Sequence, residues 1–295
     1  DWENPFPQEY DVDAASAYMS GFNDRIESMK AERRSFFGPN ILKLCELADI
    51  VFLGLHGANG EDGKVQAAFD LMGIKYTGTG YLSSAMAMDK GVTKAMFQMR
   101  GVPTPAGKAM KKKDRVETPQ ELGMDFPVVV KTCCGGSSIG VYIVDNQEDY
   151  TKALDGAFTY ENEVVVEEFV EGVEYTVAVV DGKAYPVVQI VPVQGFYDYE
   201  NKYKPGAVKE TCPAPISEEL TKRLQEAAVD GYHALEMESY ARLDFIVTKD
   251  EKIYCLEANT LPGMTPTSLI PQEAAVLGMD YPTLCEELIK VSQKK

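Results

Sequence analysis

Residues 241–248 and 252–257 alternate apolar and polar side chains on either side of a turn at Asp250, and this alternation constrains the fold more than any other stretch. In a strand, successive side chains point to opposite faces, so Leu243 and Phe245 share one face and Arg242 and Asp244 the other. A period of two is incompatible with a helix and demands an antiparallel pair with one buried face. On the returning segment Glu257 and Asn259 are again two apart. If the hairpin pairs, Asp244, Glu257 and Asn259 converge. Two carboxylates and an amide oxygen are hard oxygen ligands, suited to Mg²⁺ that bridges nucleotide phosphates. The same pattern also describes two solvated strand faces with ordinary charges; Leu243, Phe245 and Leu256 are consistent with either reading.

The rest of the chain falls into blocks. Residues 1–40 are polar and punctuated by Pro5, Pro7 and Pro39, with helical spacing at 18–31. An apolar strand at 50–55 runs into a Gly-rich loop at 56–63, which is α/β usage. A helix at 63–72 stops at Gly73, a short strand follows at 74–76, and residues 83–100 read as one helix ended by Gly101 and Pro103. Thr118, Pro119 and Glu121 form a capping box with Pro at the first helical position. Strands are expected at 127–131 and 139–144, joined by a Gly/Ser loop, and at 164–170 and 175–181. Asp181-Gly182 then turns the chain into a strand at 184–191. The Tyr-rich loop 195–206 is too long for a mere connector and has the character of a lid. An amphipathic helix spans 218–235, and Thr283 with Glu286 reads as a second capping box. The fold class is therefore α/β and α+β, with a small N-terminal α/β domain.

A chain of 295 residues holds two domains, or three small ones. Its net charge of −17 argues against non-specific nucleic-acid binding and against an anionic membrane surface, while a local basic cleft for a small anion remains compatible. No apolar run approaches the roughly 18 residues of a transmembrane helix. Six cysteines without a C-x-x-C pair suit a reduced, cytoplasmic protein better than a disulfide scaffold. With only His56 and His233, a zinc cluster is nearly excluded.

Other residues could do chemistry, though each has a plainer reading. Lys131 precedes the loop Gly135-Gly136-Ser137-Ser138-Ile139-Gly140, whose N–H groups and hydroxyls could meet phosphate. It is not a Walker A loop, because Val141 and Tyr142 stand where Lys and Ser/Thr are required. Glu167, Glu168 and Glu174 flank Phe169-Val170 and could accept from an adenine or a ribose, or simply guard a sheet edge. Lys90 reads most simply as an exposed helix lysine, and His56 as a structural hydrogen-bonder in its Gly loop. Lys202, in the aromatic loop, could be carried by a lid onto a phosphate.

The order of these pieces is more specific than any one of them. His56-Gly57 is followed by Gly60-Glu61-Asp62-Gly63, then Met88-Asp89-Lys90, Val130-Lys131 with its Gly-Gly-Ser-Ser loop, and Val166-Glu167-Glu168. The aromatic loop 196–203 comes next, then Arg242-Leu243-Asp244, and then Glu257-Ala258-Asn259-Thr260-Leu261-Pro262-Gly263-Met264-Thr265 with Ser268-Leu269. From about Phe37 to its end the chain resembles the D-alanine–D-alanine ligases of the ATP-grasp superfamily. The resemblance implies an ATP-grasp fold in three parts: an N-terminal α/β domain at 1–84, a central subdomain at 85–172, and a C-terminal subdomain at 173–295 carrying the metal and substrate sites. It implies ligation of two D-alanines through an acyl phosphate for peptidoglycan precursors, by a cytoplasmic homodimer using ATP and two Mg²⁺, with Mn²⁺ as a substitute.

By the same resemblance, Lys90, Lys131 and Lys202 would contact ATP phosphates, Glu167 the adenine amino group and Glu174 the ribose, with Ser138, Glu168 and Val170 as further ATP-binding residues. Asp244, Glu257 and Asn259 would hold the metal ions. Arg242 and the Gly263 N–H would face the tetrahedral intermediate, and Ser137 and Tyr203 would close over the first D-alanine, near His56. Ser268 and Leu269 would hold the second D-alanine. Two departures stand out. The family's opening Gly-Gly-x-Ser-x-Glu segment is not found in residues 1–49, so with Asp1 first some tens of residues are expected to be absent, and ATP binding with poor ligation is expected. Thr132 stands where Pro often follows the loop lysine, with little effect expected. Alternatives are a D-alanine–D-serine or D-lactate ligase of the vancomycin-resistance type, or an ATP-binding fragment without turnover. Lys202-Tyr203 resembles the D-alanine type rather than the D-lactate type.

Overall fold

The computed structural model describes residues 35–136, 140–192, 208–265 and 267–295. The expected helix at 18–31, the loop 195–206 and the residues Ser137, Ser138, Lys202 and Tyr203 lie outside them.

The N-terminal region carries α1 (Ile41–Leu47), α2 (Lys64–Met72) and α3 (Tyr81–Met88). The expected strand at 50–55 makes a single parallel bridge, Val51 to Tyr76. Beyond that bridge the Thr77 hydroxyl takes over as partner, accepting from the Leu53 N–H at 3.0 Å. Gly63 precedes α2 at φ 85°, and a Cβ there would lie 2.3 Å from the Tyr81 carbonyl oxygen, so only glycine fits. Leu53, Val65, Phe69, Ile74 and Tyr76 form the local core, with Leu261 from the C-terminal part inserted among them.

The helix expected over 83–100 is two helices. Asp89 is extended between them and caps α4 (Lys90–Arg100), accepting from the Val92 N–H at 3.0 Å. Lys90 is thereby the first residue of a helix, not a mid-helix surface lysine.

Beyond α4 lie β1 (Gly107–Lys111), β2 (Val128–Thr132), β3 (Val141–Val144), α5 (Gln147–Tyr160) and β4 (Glu163–Glu168). They form an antiparallel sheet in the order β1-β4-β2-β3. The capping box at Thr118 is present, but Gly123 in the left-handed region limits it to a 3₁₀ turn over Pro119–Leu122. Tyr150, Leu154 and Phe158 of α5 bury one face of the sheet against Val128, Val130, Val164 and Val166.

The second sheet is formed by β5 (Val173–Val180), β6 (Lys183–Ala184), β7 (Val188–Pro192), β8 (Val208–Thr211), β9 (Tyr240–Val247) and β10 (Ile253–Asn259). Its order is β10-β9-β5-β7-β8, with β6 beside β5. The expected strand at 184–191 is split at residues 185–187, where Pro186 lacks the N–H a ladder needs. Asp181 and Gly182 both have positive φ, the conformation of a two-residue hairpin turn.

Helices α6 (Glu218–Ala234), α7 (Leu269–Val276) and α8 (Tyr281–Ser292) cover this sheet. The expected second capping box at Thr283 is corrected. Asp280 is the cap, accepting from the Thr283 N–H at 2.9 Å, and Pro282 occupies the first turn. Odd-numbered residues of β5 and β9, among them Val177, Val179, Leu243 and Phe245, pack against Leu224 and Ala228 of α6. On the opposite face Ala178, Val180 and Tyr240 lie under Ile270, Leu284 and Leu288 of α7 and α8. These two helices cover only part of that face, and Glu174, Thr176, Arg242, Asp244 and Ile246 continue it into the site. Truncating Leu243 to Ala removes a fully buried side chain and is expected to cost about 2–5 kcal/mol. Urea unfolding should show a lower midpoint with an unchanged slope.

Candidate functional site

A cleft of about 650 Å³ opens between the two sheets. Its floor is the uncovered face of β5, β9 and β10. Tyr175↔Phe245, Thr176↔Asp244, Asp244↔Glu257 and Arg242↔Asn259 are ladder partners. The hairpin inferred from alternation therefore forms, and a bulge between Cys255 and Glu257 sets the returning residues opposite Asp244 and Arg242.

Asp244 is the most connected side chain on this floor. It accepts from Arg242 Nε at 2.9 Å and Nη2 at 2.7 Å, from Thr176 Oγ1 at 2.6 Å and from Asn259 Nδ2 at 2.9 Å. Burial would lower the basicity of the Arg242 guanidinium, but Asp244, Glu257 and Glu273 outweigh it and hold Arg242 above its ordinary value. Glu257 faces Lys90 across 3.3 Å. Two carboxylates and one amide oxygen sit at adjacent ladder positions; their hard-oxygen chemistry fits Mg²⁺. Among the described residues no group of three His, Cys, Asp or Glu side chains forms a cage.

The roof comes from the first sheet and its loops. Lys90 donates to the Gly135 carbonyl at 2.6 Å, and its N–H donates to the Cys133 carbonyl at 2.9 Å, so helix start and Gly loop are tied together. Lys131 projects from β2 into an ion pair with Glu167 of β4. The Glu167 carboxylate also pairs with Lys94 at 2.8 Å. Burial would raise its pKa, and the two lysines outweigh this and hold it below the usual carboxylate range. Glu167, expected at the adenine, lines the cleft at 3% exposure and is ion-paired with both lysines.

Glu168, Val170 and Glu174 line the cleft where the chain passes from one sheet to the other. Glu168 accepts from the Ala106 N–H at 2.9 Å. Gly172 lies so close to β9 that a Cβ would meet the Val247 carbonyl oxygen at 2.4 Å.

At the far end the N-terminal region closes the cleft. His56 Nδ1 donates to the Leu261 carbonyl at 2.8 Å, and Glu61 accepts from the Gly57 N–H at 2.7 Å and the Leu261 N–H at 3.2 Å. Burial raises the Glu61 pKa. His56 and Glu61 together grip both polar groups of Leu261, two residues before Gly263. Ser268 Oγ accepts from the Thr265 N–H at 3.0 Å, and the Tyr281 hydroxyl donates to the Met264 carbonyl at 2.6 Å. Gly263 and Leu269 both line the cleft.

The structure thus brings His56, Lys90, Lys131, Glu168, Val170, Glu174, Arg242, Asp244, Glu257, Asn259, Gly263 and Leu269 around one cleft. Three contributors went unread in the sequence. Thr176 looked like any strand residue. Glu61 appeared only as part of a turn motif. Lys94 had a visible signal, since it shares the buried face of α4 with Thr93 and Phe97.

Comparison with known proteins agrees with this arrangement. Residues 96–290 match the family model described as D-ala D-ala ligase C-terminus, and residues 3–79 match D-ala D-ala ligase N-terminus. The likeness therefore begins well before Phe37. A D-alanine–D-alanine ligase of Pediococcus pentosaceus is 44% identical over 271 residues, covering 91% of this chain and 76% of the relative. That of Halalkalibacterium halodurans is 40% identical, covering 92% of each. The ATP-complexed crystal structure of the Bacillus anthracis D-alanine–D-alanine ligase superposes with a TM-score of 0.77 at 33% identity, covering 86% of this chain and 82% of that one. The VanG D-Ala:D-Ser ligase of Enterococcus faecalis gives 0.76 at 34%, covering 83% and 73%. Over most of its length, in both sheets and in the N-terminal region that closes the cleft, this chain belongs to the D-alanine–D-alanine ligase family.

Proposed function

We propose that the chain joins two D-alanines to D-alanyl-D-alanine at the expense of ATP, for peptidoglycan precursors. The observation that carries this reading is the placement of Lys90, Lys131, Arg242, Asp244, Glu257 and Asn259 around one cleft between two antiparallel sheets. A nucleotide lies with its base against the crossing at 168–174 and its phosphates toward Lys90 and Lys131. Lys202 and Ser138 add further phosphate contacts. Asp244, Glu257 and Asn259 would hold two Mg²⁺, with Mn²⁺ as a substitute, and the metal would supply neutralisation of phosphate charge.

The carboxylate of the first D-alanine attacks the γ-phosphorus, forming an acyl phosphate and releasing ADP. The amine of the second D-alanine then attacks the acyl carbon and loses a proton, and inorganic phosphate leaves. Negative charge gathers on the former carbonyl oxygen between these events. Arg242, its plane fixed by two bonds to Asp244, and the Gly263 N–H meet that charge. Ser137, Tyr203 and His56 surround the first D-alanine, while Ser268 and Leu269 take the second. The six free cysteines suit a cytoplasmic enzyme, and no helix among the described residues is long and apolar enough to cross a membrane. A homodimer is part of this reading and rests on the family resemblance.

Phosphate release should require ATP, Mg²⁺ and D-alanine, and chelation with EDTA should abolish it. Release only with a mixed pair, D-alanine with D-serine or D-lactate, would move the protein to the resistance type. ATP binding without release under any pairing would overturn ligase activity for this chain. Arg242→Met should lower kcat about 100- to 1,000-fold while leaving ATP affinity within a few-fold. Glu61→Ala frees the Leu261 N–H from its side-chain partner, and the resulting shift of Gly263 should cost up to about 100-fold in kcat. Steady-state kinetics on both variants check these values.

A further inference from the structure

Three charged side chains form a buried row behind the phosphate end of the cleft: Lys94, Glu167 and Lys131. Their exposures are 5%, 3% and 7%. Only Glu167 and Lys131 line the cleft; Lys94 stands behind them. Lys94 is held there by two further bonds, to Thr104 Oγ1 at 3.1 Å and to the Pro105 carbonyl at 2.6 Å.

The arithmetic of this row is informative. A lone Lys131–Glu167 pair would be neutral and would present no net charge to a polyphosphate. A lone Glu167 with no second cation would draw the Lys131 ammonium fully to itself. With Lys94 present, the row of two cations and one carboxylate carries a net charge of +1. Lys94 engages one oxygen of Glu167 and Lys131 the other, so the surplus positive charge of the row reaches the cleft through Lys131, its cation at the cleft wall. Burying a lysine costs several kcal/mol unless it is paired, and a site that needed only a neutral core would place an apolar residue at this buried helix position. Burial does pull the Lys94 pKa down, with Glu167 opposing it.

We propose that Lys94 is a positioning residue for the nucleotide site, balancing Glu167 from behind so that the Lys131 charge is available to bound phosphate. The inference rests on the reading of Lys131 as a phosphate contact and adds a residue that itself touches no substrate.

The test measures binding of ATP and of adenosine, by titration calorimetry, to the full chain and to Lys94→Met, Lys94→Arg and the double variant Lys94→Met/Glu167→Gln, with thermal unfolding of each. In Lys94→Met the row becomes neutral. ATP affinity should fall tenfold or more while adenosine affinity stays within twofold. In the double variant the row regains +1, and ATP affinity should recover to within about threefold of the parent, even though two buried contacts are gone. Lys94→Arg keeps the charge and should bind ATP nearly normally. ATP affinity unchanged in a folded Lys94→Met would overturn the inference and leave the ligase reading intact. Equal weakening of ATP and adenosine, or no recovery in the double variant, would also overturn it, since both indicate lost packing rather than lost charge. A parent chain that binds adenosine and ATP equally, with no contribution from phosphate, would overturn both readings together.

Discussion

Four hydrogen bonds converge on the Asp244 carboxylate, from Arg242, Thr176 and Asn259, on three adjacent strands. They form only because β9 lies between β5 and β10 in antiparallel register, with a bulge that brings Glu257 opposite Asp244. A slip of one residue would turn Arg242 and Asp244 into the core and Leu243 and Phe245 into the cleft. Leu243 and Phe245 are fully buried against α6, so the hydrophobic core on one face enforces the position of the charged groups on the other. The core thus specifies the chemistry: burial of odd-numbered residues fixes where the even-numbered ones point.

The charges at the site are organised in pairs that leave small surpluses. The chain as a whole is strongly acidic, at −17, yet the roof of the cleft carries Lys90 and Lys131, with Lys94 behind them. Each of these cations is anchored by a carboxylate or by carbonyl oxygens at close range. In a cleft that also carries Glu61, Glu168 and Glu174, Lys90 and Lys131 provide a local positive wall that favours small anions able to enter and disfavours large polyanions that cannot.

Much of the fold was legible in the sequence because its elements announce themselves locally. The alternation at 241–248, the Asp181-Gly182 turn and the amphipathic 218–235 stretch each carry a complete local signal. Errors arose where a side-chain cap, a missing N–H or a distant partner overrides the pattern of apolar residues. Asp89 breaks a stretch of continuous helical periodicity because its side chain caps the following turn. Pro186 divides a strand whose apolar content alone looked continuous. The strand at 50–55 is left with a single ladder bridge among the described residues, which no local pattern could reveal. For the site, residue types and order conveyed the chemistry, but not which charges pair. Glu167 reads in the sequence as an acceptor for a base or a sheet-edge charge; in space it is also ion-paired with Lys94 and Lys131. That arrangement needs residues 36 and 73 positions apart to meet, and no spacing rule encodes it.

The break at residues 185–187 has one more consequence. Where β6 gives way to β7, the Ala178 N–H of β5 loses its strand partner, and Glu273 of α7 supplies an acceptor at 2.8 Å. Ala178 is the ladder partner of Arg242. A helix side chain therefore replaces one rung of the sheet, directly beside the arginine strand. The helix fastened in this way is the one that begins at Leu269, with Ser268 as its cap. The segment proposed to take the second amino acid is consequently riveted to the same plate that carries Arg242. In the proposed reaction, the spacing between the start of this helix and the Arg242 guanidinium is set by the stiffness of a sheet, and not by the wandering of a loop.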